Sequence, residues 1–286
     1  MTRKPVVAGM FYEPDFTGLD NQIKESFESK FGPGALPIEK RTKNIKGVIA
    51  PHAGYAFSGP AAAWAYKEVA EAEFCDTYIL LGLSHAGYPN SISLEDWETP
   101  FGIVKNDNLL AEKIMQLADI RQDEQAHKEE HSIEVQLPFL QFANKDNLDR
   151  LRIVPIIISS GYEHAAKKIA HAVKESGKKA CIIASSDFTH FGLNYGYFPF
   201  NSDIKKNLYD LDKKAISSIK KLDSKAFLGY IEKTGATICG RMPIAASIEI
   251  TKALGAGKAK LLNYYTSGDI VDDYSSAVGY AGMVLE

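Results

Sequence analysis

The chain has no apolar run long enough to cross a bilayer. Its longest, such as Tyr78 to Leu83, fall far short of the ~20 residues a spanning helix needs, so no membrane role is expected. It has no excess of either charge: 33 lysines and arginines face 36 aspartates and glutamates, for a formal net charge of -3. That balance excludes the basic footprint of a nucleic-acid binder. Cysteine is scarce. Cys75, Cys181 and Cys239 are odd in number and lack a framework spacing, which points to a reduced, cytoplasmic protein. The opening carries Arg3 and Lys4, but its apolar run breaks at Glu13-Pro14-Asp15, so it does not read as a signal peptide. No low-complexity tract or linker divides the chain, and a single domain over 1–286 is expected.

Apolar content is plentiful, 45% of 286 residues. A domain of this size buries about three quarters of its extended surface, so no staple is needed for folding. The stretch Ile45 to Pro60 organises the rest. Val48-Ile49-Ala50 reads as a buried strand that stops at Pro51, which cannot continue a central ladder. His52 follows, then a helix over 61–72. A histidine so placed lies at the carboxyl end of a sheet, where open α/β folds keep their ligands. Residues 77–83 repeat the plan and run into Ser84-His85-Ala86-Gly87-Tyr88. Residues 180–184 repeat it again, before Ser185-Ser186-Asp187-Phe188-Thr189-His190. Further strands are expected at 152–159, 261–266 and 276–285. Helices are expected at 17–31, at 108–118 with Asp107 as N-cap, at 163–176 closed by Gly177, over 203–234 in two pieces, and after Cys239 with Pro243 in the first turn. Residues 32–44 read as a loop and 120–130 as solvated charge. Glu130 to Pro138 reads as a helix that Pro138 kinks or interrupts. Alternating strands and helices predict a three-layer α/β sandwich.

His52, His85 and the pair Asp187/His190 each follow a predicted strand. If those strands are parallel neighbours, their ends share one crevice. Cys239 precedes a predicted helix, with Arg241 two residues on, and both features favour its thiolate. Two imidazoles and a thiolate make a mixed N/S set suited to iron, copper or zinc. Asp187, His190 or His131 would then support the ligands or move protons. Plainer readings stand beside these. His127, His164 and His171 read as surface or satisfied histidines. Cys239 alone fits a small buried hydrophobe, Asp187 fits a cap on its own turn, and Glu134 fits a helix pair with His131. Ser84, with Asp187 and His190 later in the chain, has the order of a hydrolase triad. However, Tyr88-Pro89-Asn90-Ser91 forbids the helix that a nucleophile elbow requires.

Five strings then resemble one family. They are Ala-Pro-His-Ala-Gly-Tyr (50–55), Leu-Gly-Leu-Ser-His (81–85), Glu-His-Ser-Ile-Glu-Val-Gln-Leu-Pro-Phe-Leu (130–140), Ser-Ser-Asp-Phe-Thr-His-Phe-Gly (185–192) and Thr-Ile-Cys-Gly-Arg-Met-Pro (237–243). In that order, over nearly the whole chain, they are similar to the MEMO family. The resemblance implies the fold of the class III extradiol dioxygenases: a mixed, largely parallel sheet between helices, with a metal crevice at one end. It implies His52, His85 and Cys239 as metal positions, with Asp187 and His190 lining the pocket. The dioxygenases hold iron(II) with two histidines and a carboxylate. A thiolate is softer and itself oxidisable, so ring cleavage is not carried over. What the resemblance implies is a redox-type iron(II) or copper protein, with zinc as a further fit. The alternative is a non-catalytic pocket for phosphorylated or carboxylate-bearing peptides. A radical-SAM protein is the implied pathway partner, and a small molecule or peptide the implied ligand.

Overall fold

The computed structural model describes residues 1–38 and 41–286. Four parallel strands form its centre, in the order Arg152–Ile157, Thr77–Gly82, Ala180–Ser185, Gly47–Ala50. Their runs of valine, isoleucine and leucine suit strands buried on both faces. Beyond Gly47–Ala50 the long closing strand Ser276–Leu285 runs antiparallel, and Ala259–Thr266 and the short His190–Gly192 pair with it. On the opposite side lie Gly102–Asn106, Asp96–Thr99 and the two-residue Thr2–Arg3. Among the described residues this is one mixed, largely parallel twelve-stranded sheet.

Alternate residues of each central strand face opposite layers. Val48, Tyr78, Leu80 and Ile183 pack against the helices Phe16–Glu28, Tyr55–Glu71 and Gln136–Ala143. Ile79, Leu81, Val154 and Ile182 pack against Asn108–Ala118, Tyr162–Ser176 and Arg241–Ala253. Ile49, Ala184 and Met283 meet Ile204–Lys220 and Ser224–Thr234 on that same second face. Each fully buried isoleucine or leucine contributes about 1.5–3 kcal/mol. The result is the three-layer α/β sandwich. No helix among the described residues is long and apolar enough to cross a membrane.

Several boundaries differ from expectation for identifiable reasons. The helix expected from residue 61 begins at Tyr55, so Pro60 lies inside it. The carbonyl that loses its partner there belongs to Ala56, which is solvent-exposed. Pro138 does not interrupt a helix; it sits in the first turn of Gln136–Ala143, where its missing N–H would be unpaired anyway. The segment 120–130 is not simply solvated. It holds a short strand and the helix Glu124–Lys128, and it buries His127 and Glu130. Of the loop expected at 32–44, residues 39 and 40 lie outside the described ones.

Candidate metal centre

The expected neighbours are neighbours. Gly47–Ala50, Ala180–Ser185 and Thr77–Gly82 are adjacent and parallel, so His52, Asp187 and His85 leave the same edge of the sheet. Cys239 arrives from the turn before Arg241–Ala253. Its backbone lies close against 185–186, where any side chain at Gly240 would collide with the Ser185 carbonyl and Ser186. Gly240 N–H donates to Ser186 Oγ at 2.9 Å. The sulfur of Cys239 is 3.3 Å from Nε2 of His52 and 3.6 Å from the Asp187 carbonyl oxygen.

His52 belongs to two overlapping groups. With Asp187 and Cys239 it forms an N/O/S set, and with His85 and His131 an all-imidazole set; within each, the ligand atoms lie within 4.8 Å of one another. The His85 and His131 rings are nearly parallel, 13° apart with centroids at 4.5 Å. Stacked so, His131 walls one face of His85, and its ring nitrogen stays within the same group as those of His52 and His85. Phe11 packs edge-on to His131 at 4.8 Å. Asp187 Oδ1 accepts from the backbone N–H of His52 at 2.9 Å and of Ala53 at 3.3 Å. Its Oδ2 stands 3.8 Å from His52 Nε2. Asp187 thus ties the His52 loop to the neighbouring strand end, more than a cap on its own turn would. His190 lies in neither group. Its Nδ1 is 3.1 Å from the Thr237 carbonyl oxygen and its ring meets Tyr195 edge-on.

Two acidic residues matter that the sequence reading did not single out for function. Glu130 accepts from the backbone N–H of His85 at 2.7 Å, from its Nδ1 at 3.0 Å and from Ser132 N–H at 2.8 Å. Burial pushes its carboxyl up, but the hydrogen bond and charge of His85 outweigh this and hold it down at about 2. The same bond to Glu130 raises His85. Glu134 is not a helix partner of His131. It is fully buried and accepts from Arg3 Nη1 at 2.5 Å, Val6 and Val7 N–H at 3.0 Å and Tyr12 hydroxyl at 2.7 Å. The only local signal for Glu130 was its place beside His131.

Burial lowers His52 to about 4 and also lowers His131, so both are neutral at pH 7. Burial, and next the Asp187 carboxylate, push the Cys239 thiol up. The position before a helix therefore does not favour the thiolate by itself; a bound cation would have to supply that. His127 is buried rather than on the surface, and half satisfied: its Nε2 lies 3.4 Å from Ser91 Oγ, while its Nδ1 has no partner among the described residues.

Asp212, on the 204–220 helix, grips the strand end from behind. It accepts from Thr189 hydroxyl at 2.5 Å and Tyr264 hydroxyl at 2.6 Å, yet burial still raises its carboxyl to about 6. A folded value above the unfolded one means this group's contribution is fully present below about pH 4 and is lost as pH rises through about 6, to the extent of ~3 kcal/mol. Asp212→Asn should therefore gain on wild type by that amount between about pH 4 and 7. Urea midpoints of both proteins at both pH values check this, and a pH-independent difference would contradict it.

Residues 3–284 match the family model described as Memo-like protein. A MEMO1 family protein of Methanothermobacter thermautotrophicus is 43% identical over 291 residues, covering 99% of this chain and 100% of the relative. One from Methanopyrus kandleri is 38% identical, covering 100% and 99%. An uncharacterized Escherichia coli protein of known structure superposes with a TM-score of 0.53 at 12% identity, covering 84% of this chain and 100% of that one. At that identity the likeness concerns the fold alone.

Proposed function

The chain belongs to the MEMO family, and from that premise we propose that it is a redox-type metal protein, holding one iron(II) or copper ion at His52, His85 and Cys239. The observation that carries the reading is the 3.3 Å approach of His52 Nε2 to Cys239 Sγ, beside the strand end that delivers His85. Zinc suits the same donors. Bound there, iron or copper would supply one-electron chemistry to a small ligand. His52 and His85 would bind through Nε2, since Nδ1 of each is engaged elsewhere. Asp187 Oδ2 and the neutral His131 would orient that ligand or exchange a proton with it. A peptide pocket for anions asks for net positive charge. Here the raised His85 is matched by Glu130, and Asp187 adds a second carboxylate, so that reading gains no support.

Protein purified without oxygen should carry roughly one iron or copper per chain by elemental analysis, or take up one on reconstitution. Protein that stays metal-free after incubation with iron(II), copper(I) and zinc would refute the reading.

A further inference from the structure

The hydrogen bonds behind His52 fix more than its position. Nδ1 of His52 lies 2.9 Å from the hydroxyl of Ser185. That hydroxyl has one hydrogen to give and two lone pairs to offer. Its hydrogen goes to the Ser132 carbonyl oxygen at 2.6 Å, a group that can only accept. One lone pair takes Nε2–H of Gln136 at 2.9 Å, a group that can only donate. The remaining lone pair faces His52, so Nδ1 must carry a proton and Nε2 must not. The Gln136 amide cannot flip. Its nitrogen also donates to the Pro51 carbonyl at 2.8 Å, and its oxygen accepts from Tyr66 hydroxyl at 2.9 Å; a flip would set oxygen against oxygen at Pro51. All these groups are buried.

We propose that Ser185 and Gln136 are positioning residues: they lock His52 as the Nδ1–H tautomer and keep its bare Nε2 aimed at Cys239 before any ligand arrives. The segment that carries Gln136 and Ser132 also carries Glu130, which imposes the same tautomer on His85. It crosses the end of the Thr77–Gly82 strand so closely that a side chain at Gly82 would meet Ile133 at 2.5 Å. One piece of chain thus prepares two imidazoles. The consequence for metal affinity rests on the function proposed above; the tautomer assignment does not.

Imidazole 15N shifts of the metal-free wild-type protein, with His52 assigned through His52→Gln, test the assignment without a positioning variant. The expected spectrum is a single Nδ1–H form, and an Nε2–H form would overturn the proposal. In Ser185→Ala the two tautomers should mix, and cobalt(II) affinity should fall about 10–100-fold, the usual loss when an outer partner of a ligand is removed. Ser185→Thr, which restores a hydroxyl, should recover both readouts. Gln136→Met should mix the tautomers to a lesser degree. A folded Ser185→Ala protein with an unchanged spectrum would overturn the proposal. Wild type showing the Nδ1–H form but binding no cobalt would uphold the tautomer lock and defeat the metal reading.

Discussion

Cys239→Ala will abolish metal retention, with a loss of affinity well beyond the about 10–100-fold expected for an outer partner. The sulfur is the one soft donor beside His52, and its side of the crevice holds Asp187 as the nearest substitute. Cys239→Asp should behave differently. Two imidazoles and a carboxylate form the facial set that suits iron(II), whereas copper(I) depends on the sulfur. The aspartate variant should therefore keep iron(II) and lose copper(I), measured by competition titration against a chelator under nitrogen. Equal retention of copper(I) by wild type and both variants would remove Cys239 from the ligand set. His52→Ala should match Cys239→Ala, because His52 is shared by both groups of donor side chains.

The second large effect lies in the anchoring of the first dozen residues. Glu134→Ala should destabilise the fold by about 3–5 kcal/mol, because it leaves the buried Arg3 guanidinium without its counter-charge. Arg3 would keep its bonds to the His127 and Glu130 carbonyls and its place over the Trp97 ring, none of which neutralises it. Val6 and Val7 N–H and the Tyr12 hydroxyl would also lose their acceptor. Urea unfolding should show a lower midpoint with an unchanged slope. Replacing both partners, Arg3→Met with Glu134→Leu, should restore the part of the loss due to the stranded charge, but not the part due to Val6, Val7 and Tyr12, which stay without an acceptor. A single-variant loss below about 1 kcal/mol would place the pair with ordinary surface ion pairs. Because Phe11 leans on His131, the same substitution should also loosen one wall of the crevice.

The central strands were legible because they are uninterrupted apolar runs, and His52, His85 and Asp187 because each directly follows one. Cys239 was legible as a residue at a helix start, but its protonation was not, since that depends on burial and on Asp187, far away in the chain. Glu130 and Glu134 were hidden for a related reason. In sequence Glu130 closes a charge-rich stretch, which ordinarily means solvent, and Glu134 fits a surface helix pair with His131. What buries them is a partner found only in the fold: His85 for one and Arg3, 131 residues away, for the other. The short strands at 91–92, 96–99, 102–106 and 121–122 carry no apolar run of their own and exist through their neighbours. Pro138 misled because a proline inside a helical pattern and one in a first turn differ only in where the helix starts.

Residues 130–136 hold two loops at once, so the spacing of the His52 and His85 rings is set by a single stretch of backbone. Cys239 comes from elsewhere, but its turn is clamped on 185–186, where Gly240 leaves no room for a side chain. Ser185 in turn bonds to Ser132 and Gln136, so the sulfur is indirectly seated on that same stretch. An ion of the wrong radius would therefore meet a gauge closed on every side.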